Sequence, residues 1–426
     1  MHDALLVGPG PDAENPPADT YRPVRPETRT SVGIDRRTGT AAEGFLHERT
    51  VVPAGTWLRL EMDVESTPDT AGRDREQLAT LLAALRRGSI RLGAAKTRGL
   101  GRVSLDVRSL RITEHDLSSK AGLIALVEGD GKDLELADLG DAGPGGPELV
   151  NIEVGLHPDG PVMVRASAGA EFADSIPLVS AVDSGSVRMV IPGSSLKGAL
   201  RSRAESIERT VRRLDPPGPS TDDEVGRRAA FRAQLADPRL RAVLGLFGSA
   251  PEAAQTDEVI GAGAVAADDC YASRSISGAD WLRSQTESEP PAWLAGAGLD
   301  VADHVAIDRW TGGAADARLY SVLEPTMVSW APIKLTVELT RLRAALGGAA
   351  DAALALLLLT LRDLRDGRVP VGHATNRGFG RIEVDQVTLT GRRWPDGVTL
   401  DDLLASPAAE DLSTAWLAYL DGKGER

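Results

Sequence analysis

The sequence lacks the features of a secreted or membrane-spanning protein. Its 426 residues include one cysteine, Cys270, so no disulfide can form within the chain, which suits a reducing cytoplasm. The N-terminus shows no charged and apolar regions of the kind that form a signal peptide. The longest apolar run, residues 352–361, is far shorter than the ~20 residues that cross a bilayer. We therefore expect a cytoplasmic protein without a membrane partner, in which this run forms a buried helix.

Signatures of catalysis and metal binding are also scarce. The six histidines are scattered, and no two have the spacing of metal ligands. No paired-cysteine zinc site, Gly-x-Ser-x-Gly motif or Cys/His nucleophile pattern occurs. The net charge of −14 argues against a freestanding nucleic-acid-binding protein, whose surface is usually basic, but it leaves room for a local basic groove.

What the chain does contain is an internal repeat. The matching pairs are residues 31–65 with 304–339 and residues 81–107 with 359–385. The offset is 273 positions between Asp35 and Asp308 and 279 between Gly99 and Gly378, so both matches share nearly one offset. This indicates two related units in tandem. The first unit has no room for the N-terminal half of the second, so either a partner completes it or the segment is missing.

Apolar alternation and helical periodicity predict the elements of each unit. In the first unit we expect a hairpin of strands 44–51 and 57–64, a helix at 75–88 and a strand at 100–113. In the second we expect a strand at 149–157, a helix at 194–214, a hairpin at about 319–341, a helix at 350–365 and a strand at 379–390. The order β-α-β-β-α-β is the ferredoxin-like split pattern and predicts an α+β fold.

The same reading divides the chain into domains. They are a flexible Pro-rich arm at 1–28, a partial first domain at 29–129, a linker at 130–148, a second domain at 149–393 and a C-terminal extension at 394–426. An insertion at about 216–300 interrupts the second domain, with one helix expected at 224–247 and loop elsewhere. A short helix at 410–420 is expected near the end of the chain.

Residues 191–201, IPGSSLKGALR, predict a glycine-rich turn that leads into a helix. Gly193 permits a tight backbone, and Ser194 or Ser195 can cap the helix. Lys197 and Arg201 are four residues apart and share one face. Such a turn favours phosphate capture at a helix N-terminus, while the structural alternative is a capped surface helix whose cations pair with Glu205.

Each unit also contains a basic, glycine-rich loop, at residues 93–102 and 372–381. Glycines allow close backbone approach to a ligand, and the cations suit phosphates. The candidate contacts are Lys96, Arg98, Gly99 and Arg102 in the first loop and Asn376, Arg377, Gly378 and Arg381 in the second. The alternative is an ordinary loop before an edge strand.

The third repeated feature is a projecting turn, Ile34–Gly39 and Ile307–Gly312. Its aspartates, Asp35 and Asp308, are expected to close Asx turns. Its cations and aromatic side chain could stack on nucleotide bases. The candidates are Arg36, Arg37, Arg309 and Trp310.

One loop aspartate, Asp174, is a candidate catalytic and metal-binding residue. It precedes the 191–201 turn, so its carboxylate would lie near phosphates held there. A divalent ion recruited by it would orient a 2′-hydroxyl or a water for phosphodiester cleavage. A loop aspartate is more commonly only solvated.

Taken together, the motifs IPGSSLKGALR, IDRRTGTA with HERTVVPAG, and GAAKTRGLGRV resemble those of the RAMP superfamily of CRISPR-associated proteins, and within it the backbone subunits of type III effector complexes. The resemblance implies two tandem ferredoxin-like (RRM-like) RAMP domains, the first lacking its N-terminal half. It implies that the helix turn and the loops hold a CRISPR guide RNA backbone, and that the projecting hairpin wedges between guide and target RNA. Other effector-complex subunits are implied as partners.

In cleaving members of this family, a loop aspartate cuts target RNA with a divalent metal, Mg²⁺ or Mn²⁺, and the position falls best on Asp174, with Asp183 in reserve. The spacing to the helix turn is one residue longer than usual. The chain is thus either an endoribonuclease acting within the complex, in antiviral defence, or a non-catalytic RNA-binding assembly subunit. A third alternative is a guide-processing ribonuclease that uses His373 or His157.

Overall fold

The computed structural model describes residues 5–7, 26–140, 146–182, 185–249 and 260–422. Its strands are β1 (Leu5–Val7), β2 (Glu27–Ile34), β3 (Ala41–Val51), β4 (Trp57–Arg59), β5 (Arg98–Gly99), β6 (Ile112–Glu114), β7 (Lys132–Leu134), β8 (Leu149–Pro158), β9 (Val179–Ala181), β10 (Ser186–Ile191), β11 (Val265–Asp268), β12 (Cys270–Tyr271), β13 (Ile276–Ser277), β14 (Leu299–Ile307), β15 (Ala314–Pro325), β16 (Ile333–Glu338), β17 (Ile382–Gly391) and β18 (Trp394–Thr399). Its helices are α1 (Ala71–Arg86), α2 (Lys120–Glu128), α3 (Gly193–Arg212), α4 (Glu224–Leu235), α5 (Arg241–Phe247), α6 (Gly278–Ser284), α7 (Trp293–Gly296), α8 (Leu339–Leu346), α9 (Ala350–Arg365), α10 (Leu400–Leu404) and α11 (Pro407–Leu420). The mixture confirms the α+β class.

The described residues form two compact units. The smaller unit contains residues 57–96 and 100–140 with strand β1. The larger contains residues 26–56 and 97–99 and the described residues from 147 onward. The expected domain boundaries stay a prediction, and most of the expected N-terminal arm, residues 1–4 and 8–25, lies outside the described residues.

A six-stranded sheet organises the larger unit, in the order β18-β17-β8-β16-β11-β5. Neighbouring strands are antiparallel except β5, which pairs in parallel with β11. Strand β8 buries Val150, Ile152 and Val154 at alternate positions, which is the period-two pattern of a strand with one covered face. In chain order the elements β8, α3, β11, β16, α9 and β17 follow the pattern strand, helix, strand, strand, helix, strand. The four strands lie side by side as fourth, first, third and second.

Helix α9 is the centre of the core. It contacts α3, α5 and α11, and Leu356, Leu357 and Leu361 have no exposed surface. Residues 339–365 are apolar and long enough to span a membrane by composition, but most of this stretch is buried in the unit. The expectation of a buried helix over 352–361 is therefore confirmed.

Both predicted hairpins are wrong in their pairing. Strand β3 pairs with β2, which precedes it, and not with residues 57–64; β4 pairs with β1 instead. Likewise β15 pairs with β14, while β16 joins the central sheet beside β8. The reason is local: in each hairpin an aspartate-closed turn follows the first strand and fixes the pairing across it.

The expected insertion at 216–300 contains part of the core. Strand β11 lies within it and is the second strand of the split pattern. Four residues are too few to show alternation, so no strand is predicted there from the sequence. The single helix expected at 224–247 is two helices, α4 and α5, because the chain turns at Asp237 and Pro238, where proline cannot continue a helix.

The smaller unit departs most from expectation. Helix α1 confirms the helix predicted at 75–88, and its Ala79 and Leu82 pack with Leu139 in a small core. The strand expected at 100–113 is absent from the described residues except for β6, since Asp106 accepts the Arg108 N–H and turns the chain. The expected linker includes β7 and a 3-10 helix at Leu136–Leu139.

Candidate functional site

The glycine-rich turn at residues 191–193 packs tightly against other backbone. A Cβ on Gly193 would lie 2.2 Å from the Ala267 oxygen and 2.8 Å from the Gly99 nitrogen, so only glycine fits. Helix α3 begins at Gly193 with Pro192 at its N-cap and no side-chain cap. The expectation that Ser194 or Ser195 caps the helix is wrong, because both serines lie inside the first turn, where they are half-buried.

The anion at this helix N-terminus is a carboxylate of the protein itself. Asp269 Oδ1 accepts the Gly193 N–H at 2.8 Å, and its Oδ2 accepts from Arg29 Nη1 at 2.5 Å. Both side chains are largely buried. The hydrogen-bonding and dipole requirements of the turn at Gly193 are thus met internally. A phosphate at this N–H, as the sequence predicted, would have to replace Asp269.

The cations of α3 also point into the protein. Lys197 is 6% exposed and donates to the Val265 oxygen at 2.7 Å. Arg201 donates to Glu205, at 2.7 Å, and to the carbonyl oxygens of Gly248 and Leu235. The alternative stated from sequence, a pairing with Glu205, is confirmed for Arg201. Lys197 and Arg201 therefore hold the backbone of the neighbouring segments through its carbonyl oxygens.

Burial lowers the pKa of Lys197 to about 7, and repulsion from Arg98 and Arg201 adds to the effect. The unfolded chain keeps this lysine protonated up to about pH 10.5, so between pH 7 and 10.5 it binds more protons than the folded chain. We expect the free energy of unfolding to rise from pH 7 to 9 by about 2 kcal/mol more in the wild type than in Lys197→Met. Urea unfolding at both pH values measures this. The exposed Lys334→Met is the matched control and should keep the wild-type pH dependence; an unchanged pH dependence in Lys197→Met would refute the assignment.

The two basic loops have the same backbone conformation. Positive φ angles occur at equivalent positions, listed in pairs as Gly93 and Gly372, Ala95 and Ala374, Gly99 and Gly378, and Gly101 and Gly380. In both loops the residue before the first glycine donates to the last one, Leu92 N to Gly101 O at 2.7 Å and Val371 N to Gly380 O at 2.9 Å. The repeat seen in the sequence is therefore a repeat of conformation. A left-handed position favours glycine, which explains the glycine content.

The cations of these loops are mostly exposed. Arg98 is exposed and has no described carboxylate partner; partial desolvation of its guanidinium by neighbouring groups, then repulsion from Arg49 and Arg201, lowers its pKa. Arg377 donates to the Tyr320 hydroxyl at 2.8 Å and lies over its ring, with no described carboxylate partner. Arg381 pairs at the surface with Asp159 at 3.2 Å. The remaining predicted contacts Lys96, Arg102, Asn376 and Gly378 are also exposed.

The hairpin turns confirm the expected Asx geometry. Asp35 Oδ1 accepts the N–H groups of Arg37 and Thr38, and Asp308 Oδ1 accepts those of Trp310 and Thr311. These backbone N–H groups lower the pKa of Asp308, so its carboxylate stays ionised.

The two turns differ in what their tips contact. Arg36 is bound to Glu205 at 2.7 Å and is mostly buried, so it is not available to a ligand, contrary to the prediction. Its N–H donates to Gln234 on α4. Arg37 is exposed, and the second turn leaves Arg309 exposed and Trp310 95% exposed. The β14–β15 turn is the tip that can reach a ligand with its aromatic side chain.

Asp174 lies beside strand β15. Its exposed side chain accepts the Ser321 N–H through Oδ2 at 2.9 Å, and its carbonyl oxygen accepts from Arg165. The Ser321 hydroxyl donates to Asp303 at 2.7 Å, which brings a second carboxylate to the same residue. None of the described residues donates to Asp174 Oδ1. Asp183, the reserve candidate, lies outside the described residues.

A second group of aromatic and cationic side chains surrounds Tyr320, the residue before Ser321 on β15. Tyr320, next to Ser321, stacks on His304 with ring centroids 5.3 Å apart and receives the Arg377 hydrogen bond. Burial, then repulsion from Arg165 and Arg377, lowers the pKa of His373. His157 instead contacts Asp385 at 3.1 Å on the strands β8 and β17. Sequence reasoning missed Arg165 and Tyr320, which carry no motif.

The described residues contain no group of three His, Cys, Asp or Glu side chains placed to hold a metal ion. Asp174 offers one exposed carboxylate with an oxygen free of protein donors. That fits a Mg²⁺ or Mn²⁺ ion that takes its other ligands from water and substrate phosphates, and it does not fit an all-protein metal centre.

One protein family matches most of the chain. The family model described as the RAMP superfamily matches residues 3–104 and 160–383, well over half of the chain. The match includes both loops, both hairpin turns, Asp174 and the α3 turn. No curated protein matches the chain.

Proposed function

The chain belongs to the RAMP superfamily of CRISPR-associated RNA-binding proteins, and on this premise we propose that it holds the guide RNA backbone as a subunit of a type III-like effector complex in antiviral defence. The partners proposed are the guide RNA, a complementary target RNA and other subunits of the complex, in the cytoplasm. The order of the central strands, fourth-first-third-second, supports a ferredoxin-like fold for residues 149–391.

The observation that carries the proposal is that the two loops of matching backbone conformation, 93–101 and 372–380, each present an exposed arginine, Arg98 and Arg377, without a carboxylate partner among the described residues. Arg98 is exposed, has no described carboxylate partner and lies near two other arginines, Arg49 and Arg201, of which Arg201 is paired with Glu205. Such a cluster costs free energy until an anion enters it. A phosphate satisfies Arg98, and Arg377 offers a second contact in the matching loop.

The α3 turn takes a different role from the one the sequence suggested. Because Gly193 has no side chain, the start of α3 packs directly against the backbone of Gly99 in β5 and of Ala267 in β11. This close packing supports the pairing of the edge strand β5 with β11. We propose that Gly193, Ser194, Ser195, Lys197 and Arg201 position the first loop. The second hairpin, through Arg309 and Trp310, and Arg37 on the first are the proposed nucleotide contacts at the tips.

We expect Arg98→Ala and Arg377→Ala each to weaken binding of a guide-length single-stranded RNA about tenfold at ~0.15 M salt. Each change removes about one phosphate contact, so the slope of log affinity against log salt should fall by about 0.7. The loss should not depend on the RNA sequence, since phosphates carry none. Fluorescence anisotropy over a salt series measures both quantities.

Arg393→Ala is the matched control for these variants. Arg393 follows the far end of β17, about 30 Å of strand away from the loop at 372–381, and pairs with Asp351. Its removal takes away the same charge from the chain. Equal affinities and slopes in all three variants would contradict the proposal.

A second candidate function is cleavage of the bound target RNA at Asp174. The observation that favours it is the exposed carboxylate of Asp174, which is held by the Ser321 N–H on the hairpin with the free tip, while Arg165 donates to the backbone oxygen of the same residue. Arg165 would bind the phosphate to be cut, and Ser321 orients Asp174 through its N–H. Asp174 with the RNA phosphates would hold a divalent ion, which supplies charge neutralisation at the phosphate and activation of the attacking oxygen.

A further inference from the structure

Helix α2 of the smaller unit exposes an apolar surface. Ser119 caps its N-terminus by accepting the Gly122 N–H, and Gly129 in the left-handed conformation ends it. The helix buries no residue. Its large apolar side chains Leu123, Ile124 and Leu126 are 45–48% exposed and Val127 is 87% exposed, and Leu117 just before it is 56% exposed.

This exposure is unusual for the sequence of the helix. An α-helix that is apolar around most of its circumference is normally buried, and five large apolar side chains within eleven residues form a patch typical of a binding surface. The small core of the unit, around Ala79, Leu82 and Leu139, lies between α1 and the 3-10 helix and does not include α2. Both ends of α2 are capped, so it is a regular helix. Its apolar side chains are not part of the small core.

The border of this surface is acidic. Residues 112–139 contain seven Asp and Glu residues against two lysines. Asp116, Glu128 and Asp130, which flank the two ends of α2, are exposed. The side chain and N–H of Ser118 lower the pKa of Asp116, which keeps it ionised. An apolar centre with a negative border selects its partner by charge.

We propose that α2 is a docking surface for an amphipathic helix of a partner protein, with apolar residues on one face and lysines or arginines beside them. Leu123, Leu126 and Val127 have the i, i+3, i+4 spacing of a helix that packs against another helix. A second copy of this chain would bring acidic residues against acidic residues, and RNA or an anionic membrane would be repelled. The proposal is independent of RNA binding by the loops.

The test uses the full chain and two fluorescein-labelled 18-residue peptides with an amphipathic helical pattern, one of leucine and lysine and one of leucine and glutamate. Anisotropy should show binding of the Leu/Lys peptide and none of the Leu/Glu peptide. The variant Leu123→Ser with Val127→Ser should bind the Leu/Lys peptide at least tenfold more weakly without a change in charge. Leu123 and Val127 are 48% and 87% exposed, so the thermal unfolding temperature of this variant should change little from that of the wild type.

Two further variants sharpen the result. Leu417→Ser removes a leucine of α11 that is 62% exposed, between Leu123 and Val127 in exposure, and should leave peptide binding unchanged. Glu128→Lys with Asp130→Lys should exchange the preference, so that the Leu/Glu peptide now binds. Equal binding by the wild type and the double serine variant would overturn the proposal. So would slow hydrogen exchange across α2 in the isolated chain together with no peptide binding, because the helix would then be covered by the chain itself. Failure of RNA binding in Arg98→Ala leaves all of these results unaffected.

Discussion

Replacing Asp174 by asparagine is expected to lower cleavage of target RNA in the reconstituted complex at least ~100-fold, while guide RNA affinity stays within twofold of the wild type. The magnitude is that of removing one group that acts directly on the reacting phosphodiester. Asparagine retains an oxygen that can accept the Ser321 N–H, so the loop should keep its place. Single-turnover cleavage of a labelled target, with Mg²⁺ and with EDTA, measures the effect and the metal requirement.

Asp303→Asn is the matched control, because Asp303 binds the same Ser321 through its hydroxyl. A loss of cleavage confined to Asp174→Asn assigns the chemistry to that carboxylate. Undiminished cleavage in Asp174→Asn would refute the assignment of the chemistry to Asp174. Cleavage of precursor guide RNA by the isolated protein in EDTA would instead favour the processing ribonuclease and His373.

The second large effect is expected at Gly193. In Gly193→Ala the new methyl group would lie 2.2 Å from the Ala267 oxygen and 2.8 Å from the Gly99 nitrogen, and both are backbone atoms. Neither can move without shifting β11 or β5, so we expect the free energy of unfolding to fall by about 3 kcal/mol, the upper end of the cost of overpacking. RNA affinity should fall as well, since β5 contains Arg98. Urea unfolding at constant pH measures the first effect and anisotropy the second.

The control lies on the same helix. A Cβ on Gly198 meets nothing within 4 Å, so Gly198→Ala should stabilise the protein by about 0.8 kcal/mol through helix propensity alone. Opposite signs for the two glycines would show that the close packing of the turn, and not glycine content, determines stability. A Gly193→Ala protein as stable as the wild type would disprove the packing argument.

The sequence predicted those parts of the fold that depend on local pattern. The apolar run 352–361 predicted α9, the periodicity after Gly193 predicted α3, and Asp35 and Asp308 predicted their turns. It failed where the outcome depends on distant residues. Strand β11 is short and owes its place to its neighbours β16 and β5, and β2 pairs with β3 because the turn between them is stable.

The candidate site shows the same division. Composition revealed which loops are basic, and the repeat revealed that they come in pairs. Nothing local in the sequence shows that Asp269 binds the Gly193 N–H or that Glu205 binds Arg36, because these partners are 76 and 169 residues away. A helix N-terminus followed by Lys and Arg looks the same in the sequence whether it receives a ligand or an internal carboxylate.

The two aspartate-closed hairpins have similar turn sequences in the two units but differ in what they contact. The β2–β3 hairpin is bound to the rest of the larger unit by ion pairs of Arg29 with Asp269 and of Arg36 with Glu205. The β14–β15 hairpin exposes the indole of Trp310 to solvent. Two turns of similar sequence and the same Asx geometry therefore make different contacts, so sequence similarity between the two units does not by itself predict that equivalent residues have the same role.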